Sequence, residues 1–274
     1  MMLDMFAQDF ILNALLISIV MGLMLAYLGV HVVGRGIVFV DLALGQISML
    51  GVAVGNFIEK DQTLISIIFT MVGAFLLSFI KIKDKRLKQE AIIGIVYAFA
   101  SAATVLFISK SPHGESDISE VLFGSVFTVT TEQIITMAVV FSAIALFHVI
   151  FRKKFFELTH KFENHEIETI GVFNLWNFLF YLSIGLAIVL AVRSAGVIPV
   201  FSYLIIPPVS AILLSRKEST EIVLALVISV LGSFFGLYFS TQYDFPAGSS
   251  VVTILSVLFG VSAFVRWLNG FRGK

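Results

Sequence analysis

Long apolar runs separated by short polar breaks recur from one end of the chain to the other. A run of about 20 apolar residues is what an α-helix needs to cross a ~30 Å hydrocarbon core. Read this way, the pattern predicts helices over 10–33, 37–57, 64–82, 91–109, 133–151, 174–192, 195–215, 222–240 and 247–267. The expected fold is an all-α, polytopic transmembrane helical bundle of about nine spans, with eight or ten as the bounds. Most breaks are short, which predicts one membrane domain over 1–274. Two acids and no Lys or Arg precede the first run, unlike a secretory signal, so that run is read as a retained helix.

Composition agrees with the pattern. The 274 residues are 58% hydrophobic and 13% charged, and no soluble domain fits between the runs. The absence of cysteine excludes disulfides, thiolate zinc sites and a thiol nucleophile.

Net charge is zero, but its placement carries information. The break at 81–90 holds five of the eighteen basic residues, which assigns it to the cytoplasm. Alternating from there puts fifteen basic residues inside and three outside (Lys60, Lys110, Arg193), giving an N-out, C-in topology. The outer breaks carry Glu59, Asp61, Glu115, Asp117, Glu120 and Asp244. Acids there attract cations; equally, outer loops simply lack positive charge.

Three segments depart from plain apolar spans. The inner break 152–172 mixes Phe155, Phe156, Leu158, Phe162, Ile167 and Ile170 with charges, a pattern for a membrane-surface linker or a partner-docking element. The run 195–215 has prolines at 199, 207 and 208. Each proline removes an amide donor and disrupts the preceding turn. An interrupted helix is therefore expected near Pro207 and Pro208, surrounded by protein or facing a polar cavity. Finally, the run 37–57 contains Asp41, Gln46 and Ser48, and a carboxylate at membrane depth is costly. Asp41 follows Arg35 by six residues, so it either stabilises the start of a helix at the interface or belongs to a polar path.

Enzymatic signatures are missing. No HExxH or GxSxG sequence occurs, and no Walker A sequence, so any ATP hydrolysis falls to another chain. The basic residues lie at helix ends as topology signals, which excludes a nucleic-acid partner.

Against this background two stretches are specific. Glu90-AIIGIVYAFASAATVLF followed by Asp117-ISEVLFGSVFTVTTEQI resembles the middle of the zinc/manganese-type ABC transporter permeases, the ABC-3 family. In that family an acid and "IGI" open one helix and "D…LFG…V" follows the next outer loop. Gly196-VIPVFSYLIIPPVSAILLS is similar to its "G.LLV…LLIIPAATA" helix, and Tyr243-DFPAGSSVV to its "YD.PAGPSVV" turn. The segment ending in Glu166-IETIGV lies where the family carries its coupling helix. Similarity runs from about residue 10 to 265.

The family typically reads "GD.LSHA.LPGVA" in its second helix, with Asp and His four residues apart. Aligned on Gly51-VAVG, this chain has Gln46 in place of the His, and Asp41 falls five residues earlier. Five residues turn the side chains by roughly 140° on a regular helix, so the two do not converge without a bulge. Histidine suits zinc, whereas carboxylate and amide oxygens suit harder ions such as manganese. The same stretch also resembles one helix of the branched-chain amino-acid ABC permeases, which keeps an organic solute as an alternative. An ion-coupled secondary transporter using Asp41 is a second one.

The resemblance implies an importer of a divalent metal ion (manganese, zinc or iron) in the bacterial inner membrane, embedded in lipid and working by alternating access. It implies a homodimer, a separate cytoplasmic ATPase that binds the ATP, and an extracytoplasmic substrate-binding protein, with no permanently bound cofactor. It places Asp41, Gln46, Ser48, Pro207 and Pro208 on the transport path, Asp41 as a metal ligand, and Asp117, Glu120 and Asp244 at the outer entrance. Within 152–172 it makes Glu166, Glu168, Thr169 and Gly171 the ATPase-coupling residues.

Overall fold

The structure is a computed structural model that describes residues 8–80, 89–110, 126–164 and 174–272. The described residues form ten α-helices and one 3-10 turn, with no strand. In chain order the helices are α1 (Asp9–Gly34), α2 (Val40–Phe57), α3 (Gln62–Ser78), α4 (Gln89–Ile108) and α5 (Thr131–Ile150). They continue with α6 (Arg152–Glu163), α7 (Leu175–Ala195), α8 (Val197–Leu214), α9 (Glu218–Tyr243) and α10 (Ala247–Arg272). Eight are long and apolar enough to cross a membrane. The ninth expected span, 64–82, is α3, whose 17 residues end at Ser78. At 1.5 Å per residue it measures about 26 Å, short of the hydrocarbon thickness. Only α6 is amphipathic and brief.

The chain divides into two compact units. One comprises Met1–Val33, Phe123–Ala143 and Ser194–Lys274, and thus α1, the first part of α5, and α8, α9 and α10. Here α8, α9 and α10 pack on one another. Gly232 and Gly236 of α9 make the approach to α10 close: a Cβ on Gly236 would lie 2.5 Å from the Cα of Val251. Small residues four apart admit such contact, and in lipid this packing replaces the hydrophobic drive available in water.

The same unit corrects the expectation about the proline-bearing run. α8 is continuous from Val197 to Leu214, with Pro207 and Pro208 inside it. Pro199 sits in the first turn, where its missing amide costs nothing. Pro207 and Pro208 withhold donors from the carbonyls of Tyr203 and Leu204, yet the helix does not break, and a neighbouring helix fits closely against the altered surface. The Leu204 carbonyl oxygen lies where a Cβ of Gly29 would stand, at 1.9 Å, and the Pro208 ring is 2.7 Å from that point. Gly29 thus lets α1 pack directly against the carbonyl that Pro208 leaves without a donor. Both prolines are buried, as the expectation of a protein-surrounded segment required.

The other unit comprises Gly34–Leu122 and Ile144–Arg193. In it α2 packs on α3 and α4. Gly51 and Gly55 meet the backbone of Ser66 and Gln62, where a Cβ would come within 2.6 and 2.9 Å of the opposing Cα atoms. The α2–α3 turn is closed at both ends. Lys60 N donates to Gly55 O and Glu59 N to Asn56 O, with Glu59 left-handed at φ 54°, which completes a Schellman motif. Asp61 then caps α3 by accepting from Thr63 N at 2.8 Å and Leu64 N at 3.1 Å. The amides of Leu64 and Thr63 hold its carboxyl below the usual carboxylate range. The cap therefore contributes at neutral pH and is lost only as pH falls through that lowered value.

These contacts make a paired prediction. Gly29→Ala forces a methyl into the Leu204 carbonyl and should cost about 3 kcal/mol of stability. Gly94, in α4, has nothing within 4 Å of its Cβ position. Gly94→Ala should therefore be neutral or stabilising by up to about 1 kcal/mol. Thermal unfolding of both variants in detergent checks the pair, and equal melting temperatures would refute the Gly29 contact.

Candidate functional site

The connection between α1 and α2 is short, and Gly36 turns it with a φ of 64° that L side chains rarely adopt. α2 begins without a side-chain cap, since Phe39 at its N-cap offers none. The orphan amides of its first turn are left to other partners. Asp41 is the second residue of the helix and is 2% exposed. The backbone amides of Leu42 and of Asp41 itself are the polar groups acting on its carboxylate. Its Oδ1 makes no hydrogen bond among the described residues. The stretch therefore places a carboxyl group at a helix start with one buried oxygen open.

Ser48 stands seven residues on, two helical turns from Asp41 and on the same face. It shares a 2.8 Å hydroxyl–hydroxyl hydrogen bond with Ser66 of α3, and Thr70 donates to Ser66 O at 2.8 Å. Gln46 is 6% exposed. No hydrogen bond links it to Asp41 or Ser48, and α2 shows no bulge that would bring Asp41 and Gln46 together. The five-residue spacing thus has the consequence read from the sequence. Among the described residues no group of three His, Cys, Asp or Glu side chains gathers as a metal site. Pro207 and Pro208 belong to the other unit, buried within α8.

Asp244 is exposed and occupies the left-handed C-cap of α9, at φ 56°. Its turn is tightly held: Phe245 N donates to Ser240 O at 3.0 Å, Ser240 Oγ donates to Phe245 O at 2.6 Å, and Phe239 stacks on Phe245. The DFPAG signature therefore has a local structural account, an acid that tolerates a left-handed backbone followed by proline at a helix start. Asp117 and Glu120 lie outside the described residues, as do Glu166, Glu168, Thr169 and Gly171.

The first part of the amphipathic inner segment is described, as α6. Phe155, Leu158, Thr159 and Phe162 form its buried stripe, and Lys154, Glu157, His160 and Glu163 face outward. Lys161 and Lys154 hold the Glu157 carboxyl below its usual range, through a 3.0 Å hydrogen bond from Lys161 Nζ first of all. Leu158 and Phe162 pack with Trp176 at the start of α7.

Sequence reasoning counted Arg35 only as a topology signal, and the structure buries it to 5% exposure. Arg35 Nε donates to Thr159 Oγ1 at 3.1 Å and Nη1 to Asn177 Oδ1 at 3.2 Å. Its guanidinium carbon stands 3.7 Å from the Phe180 ring centroid and 5.6 Å from that of Phe162. Asn177 Nδ2 in turn donates to Ser78 O at 3.0 Å. The available signal was a lone Arg between Gly34 and Gly36 in an otherwise apolar stretch.

Comparison with known proteins gives a concordant result along the whole chain. The sequence model of the ABC 3 transport family matches residues 7–266. The chain is 28% identical over 259 residues to the manganese transport system membrane protein MntC of Listeria monocytogenes, covering 93% of this chain and 90% of that protein. It is 25% identical over 263 residues to a "Probable iron transport system membrane protein" of Haemophilus influenzae, covering 96% and 92%. Among solved structures, a chain of PsaBC from Streptococcus pneumoniae in complex with Fab superposes with a TM-score of 0.80. That match has 25% identity and covers 95% of this chain and 94% of the other.

The open Oδ1 leads to a stability prediction. In metal-free detergent, Asp41→Asn keeps the size of a buried carboxyl group whose Oδ1 has no partner to lose, and should leave stability unchanged or raise it by about 1 kcal/mol at most. Ser48→Ala, which strands the Ser66 hydroxyl, should lower stability by about 1 kcal/mol. A clear loss of stability in Asp41→Asn would mean that the carboxylate holds the start of α2 and has no oxygen to spare.

Proposed function

This chain belongs to the ABC 3 transport family, and from that premise we propose that it is the membrane-spanning permease subunit of an ATP-driven importer for a divalent metal ion. The carrying observation is the family match over residues 7–266 of a chain with eight apolar spans. Relatives along nearly the full length are named for manganese and iron transport. The permease itself is a transport subunit, and a separate cytoplasmic ATPase hydrolyses the ATP. The assembly contains two copies of this chain in the bacterial inner membrane, N-out and C-in, each a single permease domain over 1–274. An extracytoplasmic binding protein delivers the ion to an outer rim that includes Asp117, Glu120 and Asp244. Segment 152–172 takes up the motion of the ATPase, with Glu166, Glu168, Thr169 and Gly171 at the contact, and access to the pathway alternates as a result.

Within that proposal α2 lines the path. Asp41 supplies the anionic oxygen for the passing ion, Gln46 and Ser48 supply neutral oxygens, and Pro207 and Pro208 shape the wall that α8 provides. An all-oxygen donor set suits a harder ion such as manganese better than it suits zinc. A branched-chain amino-acid path has only the composition of one helix behind it, and a secondary transporter needs no ATPase.

The test is uptake of radioactive manganese, iron and zinc by cells that express the chain with its ATPase and binding protein. Wild type should accumulate manganese or iron above the control. Asp41→Asn should reduce uptake at least 10-fold at equal membrane abundance, and Gln46→His should shift preference toward zinc. Uptake that persists without the ATPase would favour ion-coupled transport, and no metal uptake at all would reject the proposal.

A further inference from the structure

Arg35 is a charged side chain buried at a helix junction, and its burial is sustained by contacts to separate elements. Thr159 Oγ1 on α6 and Asn177 Oδ1 on α7 receive two of its N–H groups, and Phe180 of α7 and Phe162 of α6 flank its plane. Through Asn177 the same network reaches Ser78 O at the end of α3. A guanidinium fits this arrangement better than an ammonium, because its rigid fork addresses two acceptors while its delocalised charge stands over a ring.

The covalent position of Arg35 matters as much as its contacts. It stands on the connection that runs into α2, whose first turn holds Asp41. Gly36 follows it, Ile37 is 1% exposed, and Val38 N donates to Glu90 Oε1 at 3.3 Å. The connection is thus held at Arg35 and again at Val38, with little slack between. On the other side of the junction, α6 is the amphipathic helix that opens the segment proposed to meet the ATPase. Thr159 and Phe162, the two α6 residues that Arg35 engages, lie on its buried stripe.

We infer that Arg35 is a positioning residue for coupling: it locks α6 to the start of α2, so that displacement of α6 is delivered to the helix bearing Asp41. This rests on the permease reading above. Removing the lock should leave the ATPase engaged with an α6 that no longer moves α2. Motion at the coupling segment would then be dissipated locally.

Two readouts separate this role from simple packing. The chain has two tryptophans, Trp176 and Trp267. Trp176 packs against Phe155 and Phe151, with ring centroids 5.8 and 5.1 Å away, so in a Trp267→Phe background its fluorescence reports the seat of α6. Arg35→Lys keeps the charge and loses the fork. In the complex purified with its ATPase it should at least double acrylamide quenching of Trp176. It should also cut metal uptake into proteoliposomes about 10-fold, with ATP hydrolysis and the KM for metal within about twofold of wild type.

Thr159→Val removes one acceptor and should give the same signature more weakly. Thr159→Ser, which keeps the hydroxyl, should behave as wild type. If Arg35→Lys does not fold, the two Thr159 variants carry the test. Unchanged quenching and uptake in Arg35→Lys, or in Thr159→Val where that variant stands in, would overturn the inference. So would a parallel fall in hydrolysis and uptake with Trp176 undisturbed. A wild-type complex that moves no metal would reject the permease reading instead, and the quenching series would still decide whether Arg35 seats α6.

Discussion

Hydrocarbon offers no hydrogen bond, so each polar group inside a span must find its partner within the protein. Among the described residues, most hydroxyls do so without leaving their own helix. Thr70, Thr104, Ser183, Ser202, Ser210 and Ser262 each donate to the carbonyl four residues back. Such back-bonding makes a hydroxyl nearly as inert toward lipid as an alanine, and it explains how so many serines fit in apolar spans. The exceptions carry the information. Ser48 and Ser66 bond across two helices, Ser233 meets the Tyr203 hydroxyl and Ser18 O on two others, Arg35 draws on two elements and two rings, and Asp41 keeps one oxygen with no hydrogen bond among the described residues.

The same constraint governs backbone shape. Pro207 and Pro208 leave two carbonyls without their helical donors, and in water such carbonyls would bind solvent. Here the Leu204 oxygen is covered by Gly29, whose missing side chain allows contact at the backbone. A weak Cα–H···O interaction is the kind such proximity permits. Glycine also sets the distance between α2 and α3 and between α9 and α10. Where no hydrophobic effect pulls helices together, close approach of backbones and the dispersion it brings hold each unit.

The spans were legible because length and apolarity alone decide whether a segment can reside in a bilayer. The amphipathic stripe of α6 was legible because Phe155, Leu158 and Phe162 recur at helical spacing. The divergence of Asp41 and Gln46 followed from their spacing on a regular helix. The continuity of α8 was not legible, since a proline pair in mid-run ordinarily signals a break and the Gly29 contact against it lies far away in sequence. Arg35 was read only as a marker of sidedness, because positive charge at a span end ordinarily serves as one. Its burial depends on Thr159 and Asn177, 124 and 142 residues distant. The coupling and entrance residues 117, 120, 166, 168, 169 and 171 fall outside the described structure, so for them the sequence pattern is still the whole argument.

The position of Asp41 bears on how an ion would be held and released. A site that conducts must bind well enough to admit the ion and weakly enough to let it go. A bare carboxylate in a dry interior would bind a divalent cation too firmly, since the low dielectric strengthens every charge interaction. At the start of α2 the amides of Asp41 and Leu42 already act on the carboxylate, and the positive end of the helix dipole lies beside it. Both oppose a cation, while the open Oδ1 attracts one. In the proposed path the balance would be moderate binding, its strength depending on the geometry of a single helical turn. That turn is joined through a short connection to Arg35, so a small displacement there would change the angle between the amides and the carboxylate. A carboxylate in mid-helix, its amides already consumed by the helical ladder, would have no comparable means of being switched.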